Sequence, residues 1–148
     1  MSKYTGKANI EIDAPAEQVW RALTKPEIIR QYFFGTDTVT DWKVGGPITF
    51  KGEYEGKLYE DKGTVLAFEP ETRISYNYWS SMSGIEDKPE NYITITYRLS
   101  EKENKTKLDI TQENIPDEKM KEHSEQNWRK VLGNLKGLVE GNKQIPAF

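Results

Sequence analysis

The sequence predicts an α+β fold: a curved antiparallel sheet of about six to seven strands wrapped around a long C-terminal helix, with two short helices after the first strand. Three observations carry this prediction. Between Thr36 and Asn114 the long segments alternate apolar and polar residues with a period of two, broken by short turns. From about Asp117 to Glu140 the period changes to that of a helix: Met120, Ser124, Trp128, Val131, Leu135 and Leu138 recur at spacings of three and four. Ahead of the strands, Pro15 and Pro26 each open a short apolar-faced stretch suited to a helix.

The first strand spans Lys7 to Asp13, with Ala8, Ile10 and Ile12 on one face and Lys7, Asn9 and Glu11 on the other. Pro15 is placed at the first position of a helix whose inner face carries Val19, Ala22 and Leu23, and Lys25-Pro26 ends it. The second helix offers Ile28, Ile29, Tyr32 and Phe33 and stops at Gly35. Thr36 to Trp42 is a short polar strand, and Gly45-Gly46-Pro47 a turn. Ile48, Phe50 and Tyr54 face one way in the next strand; Glu55-Gly56 turns the chain; Leu58 to Phe68 returns. Arg73 to Trp79 places Ile74, Tyr76 and Tyr78 together, and Tyr92 to Ser100 does the same for Ile93, Ile95, Tyr97 and Leu99. After a charged turn at Glu101–Lys105, the last strand points Thr106, Leu108 and Ile110 inward. Short turns require antiparallel pairing. Asp117 is the expected N-cap of the final helix and Gly141 its stop. At 1.5 Å per residue that helix would be ~35 Å long, and its stripe needs the sheet's apolar face to cover it.

With 148 residues, the whole chain, 1–148, is expected to be a single domain with one core. No stretch is apolar and long enough for a membrane span, and the first residues lack the apolar segment of a signal peptide. Cysteine is absent, which fits a cytoplasmic location. The net charge of -3 leaves no basic footprint for nucleic acid.

Catalytic and metal-binding patterns are missing from the sequence. The single histidine, His123, is expected to be solvated or packed at an edge of the helix, and the sequence offers no Ser/His/Asp arrangement around it. With one His and no Cys, only scattered carboxylates could ligate a metal, and none is expected to. Glu53, Glu55, Glu60 and Asp61 read as the solvated flank of a hairpin. Gly45-Gly46 lacks the companions of a phosphate loop. No cofactor is expected.

The informative excess is aromatic: 4 Trp, 8 Tyr and 5 Phe. Tyr and Trp are half-polar, so their clustering on inward faces suits either a packed core or an apolar pocket with a few hydroxyls. The candidate ligand-binding residues are Phe33, Trp42, Phe50, Tyr54, Tyr76, Tyr78, Tyr97, Trp128 and Leu132. The loop from Ser80 to Glu90 is a candidate lid.

Five stretches in order resemble a known family. They are 12–24, the opening strand and helix; 26–33, the second helix closed by an aromatic; 44–50, a Gly-Gly hairpin entry; 63–70 with 73–76; and Trp128 to Leu135 in the last helix. Together they are similar to the START-like, helix-grip superfamily (SRPBCC), and within it to the family named for the C-terminal domain of the activator of the ninety-kilodalton heat-shock protein ATPase. The resemblance implies a helix-grip fold with a cavity. It also implies non-catalytic binding of a small hydrophobic or aromatic ligand, lipid-, polyketide- or flavonoid-like, and a link to the stress response. The alternatives it implies are an interaction module with a chaperone as partner and, third, a cyclase- or aromatase-like enzyme. A monomer is expected.

Overall fold

The computed structural model describes residues 4–33, 35–80 and 84–141, with Tyr54 described by its backbone alone. The elements follow in the order β1 (Tyr4–Ile12), α1 (Ala16–Thr24), α2 (Pro26–Tyr32), β2 (Asp37–Thr40), β3 (Pro47–Tyr54), β4 (Lys57–Glu69), β5 (Arg73–Tyr78), β6 (Ile93–Lys102), β7 (Lys105–Ile115) and α3 (Glu118–Gly141). A single 3-10 turn at Pro89–Asn91 precedes β6. Among the described residues the strands form a seven-stranded sheet in the order β1-β7-β6-β5-β4-β3-β2. Every neighbouring pair is antiparallel. This is the expected α+β architecture.

Local chemistry explains most boundaries. Pro15 is the extended N-cap of α1 rather than its first helical residue, and it offers no side-chain cap. The missing cap comes from β6: a Glu101 carboxylate oxygen accepts a hydrogen bond of 2.7 Å from the Ala16 N–H. At the other end of α2, Gly35 adopts φ of 76° and its N–H reaches the Arg30 carbonyl, closing the helix. Glu55 and Gly56, both at positive φ, make the tight turn between β3 and β4. Asp117 caps α3 through a 2.8 Å hydrogen bond from the Met120 N–H. The helix continues to Gly141, and the chain after it lies outside the described residues.

The sheet bends at β4. A register shift between Val65 and Ala67 leaves Leu66 exposed and lets both Val65 and Phe68 face inward, opposite Tyr76 and Ile74. Just before it, Gly63 meets the β5 backbone so closely that a Cβ there would lie 1.7 Å from the Asn77 carbonyl oxygen. The Asn77 side chain then accepts the Thr64 N–H at 2.7 Å.

α3 fills the hollow of the sheet unevenly. Its buried side chains are Trp128, Val131, Leu132, Leu135 and Val139, all from Trp128 onward. Burying each aliphatic one is worth roughly 1.5–3 kcal/mol. They pack with Ile12, Val19, Ile74, Ile95, Leu108 and Ile110 in one apolar core. The same helix covers the free edge of β1. Glu125 accepts the Lys7 N–H at 2.8 Å, Glu140 accepts the Asp13 N–H at 2.7 Å, and the Lys136 ammonium donates to the Glu11 carbonyl at 2.7 Å. Those backbone groups would otherwise be an open edge for pairing.

The close approach at Gly63 sets a stability test. Gly63→Ala should destabilise the protein by about 1–3 kcal/mol or more, the cost of overpacking against backbone that cannot rotate away. Urea unfolding followed by tryptophan fluorescence measures it, and an unchanged midpoint would contradict the contact.

Candidate functional site

Where the N-terminal half of α3 crosses the sheet, its inward positions are Met120 and Ser124, neither fully buried. Ser124 is small for a position on the apolar stripe. Beneath it lies a cavity of about 190 Å³, lined by Phe33 and Thr36 after α2, Phe50 on β3, Tyr59 and Asp61 on β4, Tyr76 and Tyr78 on β5, Ile95 on β6, Gln112 on β7, and Ser124, Asn127 and Trp128 on α3. Asn127 is exposed on the helix and sits at the mouth.

The rings form a connected series. Phe33 meets Trp128 edge-on at 5.7 Å between centroids, Trp128 meets Tyr97 at 5.7 Å, Tyr97 meets Tyr76 at 5.9 Å, Tyr76 meets Phe50 at 5.5 Å, and Phe50 meets Tyr78 at 5.8 Å. Tilted and T-shaped contacts of this kind hold rings in fixed orientations. The polar atoms are paired as well. Tyr76 and Tyr97 share a hydroxyl–hydroxyl hydrogen bond of 3.0 Å, and the Tyr78 hydroxyl donates to Asp61 Oδ2 at 2.6 Å. Thr36 pairs with the Tyr59 hydroxyl at 2.7 Å, and Ser124 Oγ donates to Gln112 Oε1 at 2.8 Å.

Burial governs the titration of these groups. It pushes the Tyr97 hydroxyl up to about 12. It raises Tyr76 well above the ordinary tyrosine range, with neighbouring Tyr97 adding to the effect. Tyr78 is raised by burial first and then by the Asp61 charge beside it. Tyr32, whose hydroxyl donates to the Ala22 carbonyl at 2.9 Å, is raised by burial and by Tyr97. At neutral pH all four keep their protons and act as hydroxyls.

The structure distributes the sequence-selected residues over three places. Phe33, Phe50, Tyr76, Tyr78 and Trp128 line the cavity together. Tyr97 and Trp42 line an adjoining void of about 20 Å³, with Phe33, Phe50 and Tyr76 shared between the two. Trp42 belongs to a second aromatic group: it stacks on Phe68 at 5.5 Å, Phe68 meets Trp20 at 5.2 Å, and the Trp42 indole N–H donates to the Thr24 carbonyl. Leu132 is buried in the core behind Trp128. The side chain of Tyr54 lies outside the described residues.

Asp61 is a correction. It is not on a solvated flank; it is 7% exposed and faces the cavity. Parity reveals it, since Tyr59, Asp61 and Val65 share one face of β4 while Glu60 and Lys62 point outward. Ser124 was visible as a small residue on a large-residue stripe. Thr36, Gln112 and Asn127 carry no comparable signal. The described part of the 80–90 loop does not close the cavity. Ser80 hydrogen-bonds the Tyr78 hydroxyl, while the segment from Ile85 packs on the outer face, through an Asp87–Lys62 ion pair of 2.7 Å and hydrogen bonds from Trp79 to Ile85 and Tyr92 to Asp87. There it borders an open polar groove lined by Lys62, Thr64, Asn77, Asp87, Pro89 and Tyr92. Residues 81–83 of that loop lie outside the described residues. His123 is exposed. Among the described residues, no group of three or more His, Asp or Glu is placed to hold a metal, and no helix is long and apolar enough to cross a membrane.

The profile of a family described as Activator of Hsp90 ATPase homolog 1-like protein matches residues 13–140. The chain belongs to that family. Solved structures agree with the assignment. ChR145 from Cytophaga hutchinsonii is similar at 42% identity, covering 97% of this chain and 99% of that one, with a TM-score of 0.83. CV1439 from Chromobacterium violaceum is similar at 26% identity, over 92% and 96% of the two chains, with a TM-score of 0.76. PFC0360w from Plasmodium falciparum, an HSP90 activator, shares the fold at 23% identity, over 93% and 96%, with a TM-score of 0.71. No curated protein shows significant sequence similarity to the chain. As a member of this family, the chain carries the START-like helix-grip fold.

The buried tyrosines make stability fall at high pH. Unfolded tyrosines lose their protons near pH 10, but Tyr32, Tyr76 and Tyr97 hold theirs to higher pH in the folded protein. Above that point the unfolded state binds fewer protons, so stability is complete below pH 10 and declines as pH rises, by about 1.4 kcal/mol per unit for each proton retained. Urea midpoints on either side of pH 10 should show this loss, and tyrosinate absorbance should rise together with unfolding.

Proposed function

We propose that this protein binds a compact apolar or aromatic molecule, about one ring in size, in the cavity between α3 and the sheet, without turning it over. The observation that carries the reading is the cavity itself: about 190 Å³ walled by aromatic rings, with a few fixed polar groups, in a fold of the ligand-binding kind. Its size sets the ligand class. A cavity of about 150 Å³ holds benzene, and pockets for drug-sized molecules begin near 300 Å³. A single substituted ring fits; a lipid tail or a three-ring flavonoid exceeds the space.

Binding without catalysis is supported by the titration of the lining groups. General acids and bases work best near the operating pH. The tyrosines that face the ligand space are pushed away from neutrality, and their hydroxyls are tied to fixed partners. Such groups orient a ligand and do not readily exchange protons with it.

Titrating single-ring compounds while recording amide shifts should move resonances of Phe33, Phe50, Tyr76, Tyr78, Trp128 and their neighbours. Asn127→Trp, at the exposed mouth, should lower affinity about tenfold or more by occluding the entrance while leaving the urea midpoint unchanged, since surface substitutions seldom change stability by more than about 0.5 kcal/mol. Shifts confined to the outer groove, or undiminished binding by Asn127→Trp, would count against the cavity as the site.

A further inference from the structure

The charge pattern of the cavity carries the reading one step further. Among its lining residues Asp61 is the single one with a formal charge, and no Lys, Arg or His lines it among the described residues. The lysines nearest in sequence point elsewhere. Lys51 and Lys62 alternate outward from Phe50 and Asp61, and Lys62 is engaged with Asp87 on the opposite face of the sheet. Asp61 sits across the β3–β4 ladder from Phe50, and the Tyr78 hydroxyl fixes its carboxylate. Around this negative group stand Phe33, Phe50, Tyr76, Tyr78 and Trp128.

We propose that the cavity selects a small organic cation: a protonated amine carried on one compact aromatic or apolar body. This rests on the binding reading above. Each part of the ligand meets its complement. The ring faces present negative electrostatic potential to a cation, an attraction that strengthens away from water. The carboxylate accepts a charge-assisted hydrogen bond from the ammonium. Hydroxyl oxygens of Tyr78 and Tyr76 are further acceptors for an ammonium, which carries three donors and no acceptor. A neutral alcohol keeps the ring contacts and one uncharged hydrogen bond, but gains neither the charge-assisted bond nor the cation–ring attraction. An anionic one is driven against Asp61 in a poorly hydrated space, where like charges repel far more strongly than in water.

Three probes of nearly equal size separate these cases: 2-phenylethylammonium, 2-phenylethanol and phenylacetate, titrated calorimetrically into the full chain at neutral pH. The amine should bind about tenfold or more tightly than the alcohol, and phenylacetate more weakly than either, as expected for a desolvated cation among rings and a carboxylate. Asp61→Asn should weaken the amine far more than the alcohol and bring the two affinities together. If amine and alcohol bind alike, or phenylacetate binds best, the proposal is overturned while the cavity stands as a binding site. If none of the three binds, both readings fall. Should Asp61→Asn not fold, the order of the three probes on the unaltered protein decides the matter alone.

Discussion

The apolar contact between the sheet and α3 from Trp128 onward does two things at once. Trp128, Val131, Leu132, Leu135 and Val139 anchor the helix, and everything packed around them inherits its position. Because the buried stripe stops at Trp128, the first ten residues of the helix are carried over the sheet without being pressed into it. A rigid rod held firmly at one end over a curved surface must leave space at the other. The cavity is that space, and its floor is supplied by strands that would otherwise be covered.

Such space is unusual because interiors close around voids when side chains can move. Here they are restrained. Each ring in the series from Phe33 to Tyr78 is braced by the next, and the hydroxyls of Tyr76, Tyr97 and Tyr78 are tied to partners. Collapse would break several of these hydrogen bonds, leaving buried polar atoms unpaired. The aromatic and polar contacts thus keep a surface preorganised, which lowers the ordering cost of binding. They also place Asp61, the one formal charge on the wall, where a ligand would meet it.

Much of this was readable from the chain before any coordinates. Periods of two and of three to four residues located the strands and α3, and the turn residues at 55–56 and at Gly35 marked ends that proved real. Strand parity puts Phe50, Tyr76 and Tyr78 on the inward face, and the helical period turns Trp128 toward them. What escaped was long-range. Trp42 turns at positive φ toward Thr24 and Phe68, a direction that strand alternation cannot give. The cap of α1 comes from Glu101, eighty-five residues away. The charge of Asp61 points to solvent while its parity with Val65, four residues later, points inward, and parity wins. The shift at Leu66 then reverses that parity, so a face traced from Phe68 backwards would have given the opposite answer.

One further consequence lies in how the sheet is closed. β1 has a single strand partner, β7, so Ile12 lies opposite Thr106 and Ile10 opposite Leu108. Its other edge meets side chains of α3. During synthesis the meander from β2 to β6 can assemble pair by pair as it emerges, since each strand follows its neighbour. The first strand must wait, unpaired, for nearly the whole chain. Contacts between such distant segments slow folding and prolong the exposure of unpaired strands. For this protein the vulnerable species on the ribosome is thus a nearly complete meander beside a waiting β1, and the arrival of β7 and α3 covers the edge of β6 and both sides of β1 in a single closing step.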